Sequence, residues 1–236
     1  MTLAADFPVS VSQRPEVARV QILPARTTRN FRIVHLCNWH LIPQKHFEAV
    51  LSADGLPADE IKAQFLKHVE RVQQIQAEQQ TLMAFLVPEL HLRSVHLEGL
   101  CVDDAERFEH RLQQLRAAGI IGNSRMPSDS AASTLQQERL LAGTAGQLYM
   151  DGVLKVLPVE DKAVYEAASP FQSQDPGHED LILGERRESA MVRQMIHDGA
   201  ETFVILGGLH DLSDNVPDDC EYVRIETRRY AELMSR

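Results

Sequence analysis

Short runs of apolar and β-branched residues recur along the chain between segments with helical spacing. Such runs are typical of buried strands, and one of them, FRIVHLC, is nearly continuous in apolar content, as in a parallel strand covered on both faces. Six strands are predicted, over residues 17–23, 31–37, 93–98, 153–157, 202–207 and 222–226. Because helical patterns separate most of them, the alternation predicts an α/β fold with a central, mostly parallel sheet and flanking helices.

The clearest helical pattern runs from Pro57 to Leu86. Proline in the first turn, followed by Asp59 and Glu60 at the positive end of the helix dipole, favours a helix start at this point. A narrow seam recurs along it at alternating steps of four and three residues, the spacing of a face buried against another helix. Its members are Ile61, Phe65, His68, Val72, Ile75, Gln79, Leu82 and Leu86.

The span 57–150 holds this helix and two further helical patterns, and it predicts a helical insertion over the crevice at the carboxyl ends of the strands. One more helix is predicted at 185–198. Segments 123–133 and 169–180 are rich in Ser, Asp and Pro, which predicts loops. Because no break in composition marks a boundary, residues 1–236 are predicted to form a single domain.

Composition and charge narrow the class of protein. The 236 residues are 44% hydrophobic and 25% charged, which is ordinary for one globular core. The net charge of −10, without a basic patch interleaved with aromatics, argues against a nucleic-acid partner. Neither a signal peptide nor an apolar stretch approaching the ~18 residues of a membrane span is visible. With three scattered cysteines as free thiols, we expect a soluble, cytoplasmic protein.

Two strand ends share one layout. The run FRIVHLCNWH has a strand ending at Cys37 and His40 three residues later, and TFVILGGLHD has a strand ending at Gly207 and His210 after the same interval. Parallel strands open at their carboxyl ends onto the crevice where α/β sheets bind ligands, so the two imidazoles are expected to face each other. Gly207 and Gly208 allow a sharp turn and a close approach to a ligand or cofactor.

A third strand end adds Glu98, which is followed by Gly99. One carboxylate and two imidazoles are the ligand set of hydrolytic zinc sites, where the metal lowers the pKa of bound water to about 7. Without a metal, the same groups can supply a general base and an orienting acid. Each residue alone also fits a strand cap bonded to a neighbouring turn. Glu160 and Asp161, after a later strand, can join the site or place charge at the next helix start.

The motifs CNWH, LEG and GGLH, with Arg186 and Arg187 opening a helix before the last, resemble the Tiki/TraB superfamily, which includes the haem-binding ChaN proteins and the erythromycin esterases. The pattern of that family is a strand ending in GxxH, a glutamate at the next strand end, an arginine on the helix before the last motif, and a second GxxH. The resemblance spans about 31–215. Carried over residue by residue, the family pattern corresponds to His40, Glu98, Arg187 or Arg186, and His210 in this sequence.

This resemblance implies a peptidase-like or esterase-like hydrolase acting on a small-molecule or peptide substrate. His40, Glu98 and His210 would hold a divalent metal such as zinc, manganese or cobalt, or share acid and base duty. Arg187 would stabilise charge developing on a carbonyl or hold a substrate carboxylate. The alternative implied by ChaN is a haem- or iron-binding protein without catalytic activity, with a His or Tyr axial ligand and a crevice between two protomers of a homodimer.

One departure from the family pattern is Cys37, which stands where the family has glycine. The thiol either adds a soft ligand beside His40 or packs as a buried apolar group. Trp39 either forms an aromatic wall for substrate or haem or anchors its loop to the sheet. A third alternative is an interaction module whose helical seam binds a partner protein, although the chain's own helices can fill that seam.

Overall fold

The computed structural model describes residues 6–117, 130–168 and 181–235. Its strands are β1 (Val17–Leu23), β2 (Phe31–Asn38), β3 (Ser94–Cys101), β4 (Lys155–Glu160), β5 (Glu201–Gly207) and β6 (Cys220–Thr227). They form one sheet in the order β1-β6-β2-β5-β3-β4. The edge strand β1 runs antiparallel to β6, and the other neighbouring pairs are parallel. The predicted α/β fold with a mostly parallel sheet is therefore confirmed.

Helices flank this sheet. They are α1 (Val9–Ser12), α2 (Gln44–Ala53), α3 (Ala58–Glu89), α4 (Ala105–Ala117), α5 (Ser130–Met150), α6 (Lys162–Ala168), α7 (Leu181–Asp198) and α8 (Arg228–Met234). The predicted loop at 169–180 lies outside the described residues, and so does the predicted loop at 123–133 up to the start of α5. Within the described ranges, no helix combines the length and the apolar composition that crossing a bilayer requires.

The span 57–150 contributes more than a helical insertion. It contains α3, α4 and α5, but also β3, which lies between β5 and β4 inside the sheet. The side-chain amide of Gln76 in α3 donates a hydrogen bond to the Leu140 carbonyl of α5 at 2.9 Å, which ties the two covering helices together. The span is thus a β-strand with helices before and after it, and those helices cover the strand ends.

The core divides along β5, whose side chains alternate between the two faces of the sheet. Phe203 and Ile205 pack in the cluster that α3 and α5 cover, with Leu82 of the α3 seam. Val204 and Leu206 pack in a second cluster together with methionines of α7. A strand buried on both faces explains the nearly continuous apolar run in the sequence. All eight predicted seam residues of α3 are buried.

Candidate functional site

Four strand ends meet at one edge of the sheet. The neighbouring strands β2, β5, β3 and β4 are parallel, so their carboxyl ends point the same way. His40 follows the end of β2, His210 follows the end of β5, Glu98 lies in the second half of β3, and Glu160 ends β4. The topology therefore delivers polar side chains from distant parts of the chain to one place.

The carboxylate of Glu98 lies at the centre of the site. Its Oε2 is 2.8 Å from Nε2 of His40 and accepts a hydrogen bond from the backbone N–H of Gly207. Its Oε1 is 3.0 Å from Nε2 of His210 and 3.1 Å from Nη2 of Arg187. The structure thus brings together the four residues that the resemblance marked.

The two glycines after β5 are needed for contacts within the chain. A Cβ added at Gly207 would lie 3.1 Å from both Glu98 Oε2 and His40 Nε2. A Cβ added at Gly208 would overlap the ring of Tyr230. The close approach that the glycines permit includes a carboxylate, an imidazole and a phenol of the protein itself, and their part in binding a cofactor stays a prediction.

Arg187 is the buried member of the arginine pair, at 7% exposure, whereas Arg186 faces solvent. Its Nε lies 3.1 and 3.2 Å from the two oxygens of Glu160, and its Nη2 lies 2.5 Å from one of them. Burial alone would lower the pKa of Arg187, but Glu160 and Glu98 raise it above its ordinary value. Arg187 therefore orients Glu98, and its contact with substrate stays a prediction.

Of the two acids after β4, only Glu160 joins the site. It is 1% exposed and also accepts a hydrogen bond at 3.2 Å from the backbone N–H of Gly99. Asp161 instead accepts a hydrogen bond from the N–H of Val164 at 3.0 Å, in the first turn of α6. Glu160 is thus the counter-ion of Arg187, while Asp161 caps a helix.

His210 bridges two carboxylates. Its Nδ1 is 2.8 Å from Oε1 of Glu188 and its Nε2 is 3.0 Å from Oε1 of Glu98. Burial alone would lower its pKa, but hydrogen bonds to Glu188 and Glu98 outweigh burial and raise the pKa to about 9. At neutral pH the ring is therefore an imidazolium that donates from both nitrogens. Glu188 escaped the sequence analysis because nothing distinguishes it from the other acids of α7.

A second residue that the sequence analysis missed is Arg224 of β6. Its guanidinium donates to the carbonyls of Gly208 and His210, at 2.5 and 2.8 Å. These two bonds fix the turn between β5 and His210. Arg224 thus holds the second histidine motif in place without contacting Glu98.

Glu98 stays ionised. Burial alone would raise its pKa, but the charge of His40 and the hydrogen bonds from His210 and His40 hold the pKa well below its ordinary value. Four donors share the two oxygens, and hydrogen bonds to the charged form favour that form. A carboxylate held in this way cannot deliver a proton at neutral pH, so it serves as an orienting group.

The donor set does not fit the predicted divalent metal. A metal requires unprotonated imidazole nitrogens, but each nitrogen of His210 faces a carboxylate, and these contacts raise its pKa to about 9 and favour the protonated ring. The Arg187 guanidinium also lies against the Glu98 oxygen that an ion would use. In the part of the chain that the structure describes, no group of three or more His, Cys, Asp or Glu side chains is arranged to hold a metal. The ligand set His40, Glu98 and His210 stays a prediction, and the contacts of His210 and Arg187 argue against it.

Cys37 and Trp39 lie beside this network as packing residues. Cys37 packs with Ile75 and Tyr230, and burial raises the pKa of its thiol to about 12, so it is not a thiolate at neutral pH. Of the two alternatives, Cys37 is the packed thiol. Trp39 packs against the same cluster, which includes Cys37 of β2, and its Nε1 lies 3.5 Å from Nδ1 of His68, so it anchors its loop to the sheet and to α3.

A chain of hydrogen bonds sets the tautomer of His40. Gln79, fully buried on α3, donates through Nε2 to the Cys37 carbonyl at 2.9 Å, and a carbonyl can only accept. The same nitrogen is 3.2 Å from Oδ1 of Asn38, and the hydroxyl of Thr144 donates to Oε1 of Gln79. The Asn38 amide nitrogen must then face Nδ1 of His40, at 3.3 Å. Nδ1 of His40 accepts, and Nε2–H donates to Glu98.

His40 also borders a cavity of about 190 Å³ at this edge of the sheet. Its polar side includes Asn38, His40 and Glu98, while apolar side chains of β3, α4 and α5 form much of the rest. At the cavity, Gly143 interrupts α5 with φ 61° and ψ −164°, a backbone conformation that glycine tolerates best. The His40 side chain remains 39% exposed, so its ring is accessible from the crevice.

Comparison of the chain with protein-family models, with curated proteins and with solved structures finds no match. The resemblance to the Tiki/TraB superfamily therefore stays a prediction that rests on four short motifs and their order. What the geometry adds is that the residues of those motifs contact one another in this fold.

Proposed function

We propose that the protein is a metal-independent hydrolase in which His40 is the general base. One observation carries the proposal. His40 donates through Nε2 to the ionised carboxylate of Glu98 at 2.8 Å and keeps Nδ1 as an acceptor at the edge of the cavity. An imidazole backed by a carboxylate is the arrangement that activates water or a hydroxyl group in many hydrolases.

The proposed reaction is attack of water on an acyl carbon. Water replaces the Asn38 amide at Nδ1 of His40, where the contact is 3.3 Å, and Nδ1 takes a proton from this water while the water oxygen bonds to the carbonyl carbon. The bond between the acyl carbon and the leaving group then breaks, and the leaving group takes the proton back from His40. Glu98 stabilises the imidazolium that exists between these steps, and Arg187 and His210 keep Glu98 ionised and in place.

The haem alternative receives less support from the site. The cavity of about 190 Å³ is smaller than the about 300–1,000 Å³ of pockets for drug-sized ligands, and haem is larger still. Of the tyrosines that might serve as axial ligands, Tyr222 bonds to His35 at 2.7 Å and Tyr149 donates to Glu109 at 2.7 Å. The homodimer implied by the haem alternative stays a prediction.

The test is hydrolysis of a panel of uncharged para-nitrophenyl esters by wild type, His40→Gln and His110→Gln. His110 is the matched control because it is an exposed histidine on α4. We expect His40→Gln to lower kcat/KM by about 100-fold or more, as loss of a general base does. His110→Gln and treatment with EDTA should leave the rate unchanged.

Two results would contradict the proposal. Hydrolysis that survives in His40→Gln would show that His40 is not the general base. The absence of hydrolysis by wild type across the panel would show that the protein does not hydrolyse these esters. A rate that EDTA abolishes and zinc restores would support a metal-dependent hydrolase instead. A Soret band in the purified protein would favour the haem alternative instead.

A further inference from the structure

The cavity beside His40 has polar side chains, which include Gln76 and Thr144, and a group of apolar ones. Leu97 and Leu100 of β3 line it at 9% and 5% exposure, and Phe108 of α4 and Leu141 of α5 line it from the covering helices. These elements are joined by packing of α4 and α5 against β3 and β4. A ligand group seated here exchanges water for aliphatic and aromatic side chains, which favours an apolar group.

The charges around the cavity favour a neutral group. Among the described residues that line it there is no lysine or arginine, and the ionised side chain is Glu98. The nearest guanidinium, that of Arg187, is already bonded to Glu160 and Glu98. A second carboxylate in the cavity would lose hydration beside a like charge with no cation to compensate, which is unfavourable.

The cavity combines polar and apolar groups. His40 and Asn38 line it together with Leu100, Phe108 and Leu141. A carbonyl carbon placed at Nδ1 of His40 therefore leaves its acyl chain among these apolar side chains. At about 190 Å³ the cavity is below the range for drug-sized ligands, so the chain that fits is short.

Building on the proposed function, we propose that the cavity is the acyl site of a hydrolase for uncharged, short-chain carboxylic esters. The acyl chain occupies the apolar part of the cavity and the alcohol portion extends toward solvent. Water supplies the oxygen of the new carboxylic acid, and the alcohol leaves with the proton from His40. Once ionised, the acid product is repelled by Glu98, which promotes its release.

The first experiment compares three para-nitrophenyl esters with wild-type protein. The butyrate ester and the hemisuccinate ester have the same acyl chain length, but the second carries a carboxylate, and the octanoate ester is neutral and longer. We expect kcat/KM for butyrate to exceed each of the others by about tenfold or more. Equal or faster hydrolysis of the hemisuccinate or the octanoate would overturn the proposed acyl site. It would not contradict the proposal that His40 is the general base.

The second experiment changes the size of the cavity. Phe108→Ala removes a ring from its wall, so we expect the ratio of octanoate to butyrate kcat/KM to rise by about tenfold. Leu66→Ala is the matched control, because Leu66 is 54% exposed on α3 and does not line the cavity. Partial unfolding of the variant would lower kcat/KM for both substrates and would not raise this ratio. A ratio unchanged in Phe108→Ala would contradict the acyl site.

The third experiment measures binding without catalysis. Butyramide and butyrate, matched in chain length, are titrated into wild-type protein with methyl-labelled leucine, and the methyl NMR signals of Leu97 and Leu100 are followed. We expect saturable shifts with butyramide and none with butyrate. No shift with butyramide, or equal shifts with both, would overturn the acyl site. Because no bond is broken, the outcome is independent of whether His40 is a base.

Discussion

Nε2 of His40 lies 2.8 Å from Oε2 of Glu98, although 58 positions separate the two residues in the chain. The contact joins an accessible imidazole to a carboxylate that a second histidine, an arginine and a backbone N–H also hold. It gives the two histidines of the site different roles. His40 can exchange a proton with a ligand, whereas His210 is a fixed cation between Glu98 and Glu188.

Replacing Glu98 tests the centre of the network. Glu98→Gln keeps the size of the side chain but removes the charge that orients His40 and pairs with Arg187 and His210. We expect ester hydrolysis to fall by about 100-fold or more. The free energy of unfolding, measured in urea, should fall by about 3 kcal/mol because two buried cations each lose a partner. Glu185→Gln, at an exposed position of α7, should change neither quantity, and an active Glu98→Gln would refute the orienting role.

The tautomer of His40 is directly measurable. In wild type, ring-nitrogen chemical shifts of the neutral form should place the proton on Nε2, because Asn38 donates to Nδ1. Asn38→Asp places an acceptor there, so we expect protons on both ring nitrogens at neutral pH and loss of hydrolysis. The signals of His110 serve as the internal control. A proton on Nδ1 in the wild type would show that the chain from Gln79 through Asn38 does not set the tautomer.

Gly207 tests how tightly the site is packed. In Gly207→Ala the new methyl group lies 3.1 Å from both Glu98 Oε2 and His40 Nε2, so one of them must move. We expect a loss of activity of about tenfold or more, because small displacements at a reacting centre are costly. Gly184→Ala, where nothing lies within 4 Å of the new group, should keep full activity and gain about 0.5–1 kcal/mol of stability from helix propensity. Equal activity in the two variants would contradict the close packing.

Stability should depend on pH through His210. Glu98 and Glu188 face its ring, Arg187 lies beside Glu98, and Arg224 bonds to its backbone carbonyl. Because the pKa in the folded state is raised from 6.5 to about 9, the stabilisation is complete below pH 6.5 and is lost as pH rises through about 9. This difference in the pKa of His210 between the unfolded and folded states corresponds to about 3 kcal/mol in the free energy of unfolding.

The measurement is the free energy of unfolding of wild type and His210→Gln between about pH 6 and about pH 10. We expect the advantage of the wild type to shrink across this range. Contributions from groups that do not interact with His210 cancel in the comparison. A constant difference between the two proteins would show that His210 is not held as an imidazolium.

Much of the fold followed from the sequence because its signals are local. Alternation of apolar runs with helical periodicity predicted the six strands and the α3 seam within a few residues. The strand ends placed His40, His210 and Glu98 at one edge of the sheet for the same reason. The predicted helical insertion was less accurate, because β3 inside it was recognised as a strand but not as an interior member of the sheet.

The missed residues act through contacts that no local pattern encodes. Glu188 reaches His210 only because α7 packs beside the end of β5, and Gln79 reaches Asn38 only because α3 crosses the end of β2. The choice between Arg186 and Arg187 likewise depends on which side of α7 faces Glu160. Their functional importance depends on packing between elements, which sequence spacing alone does not reveal.

The sequence by itself determined which strands form and which polar residues stand at their carboxyl ends, because side-chain periodicity and strand termination depend on neighbouring residues. Only the tertiary structure decided what those residues do. Two histidines in the same kind of motif have different neighbours, since His210 lies between two carboxylates, which raise its pKa, and His40 lies between a carboxylate and an amide. Proton affinity is set by the groups within a few ångströms in space, and these come from distant parts of the chain.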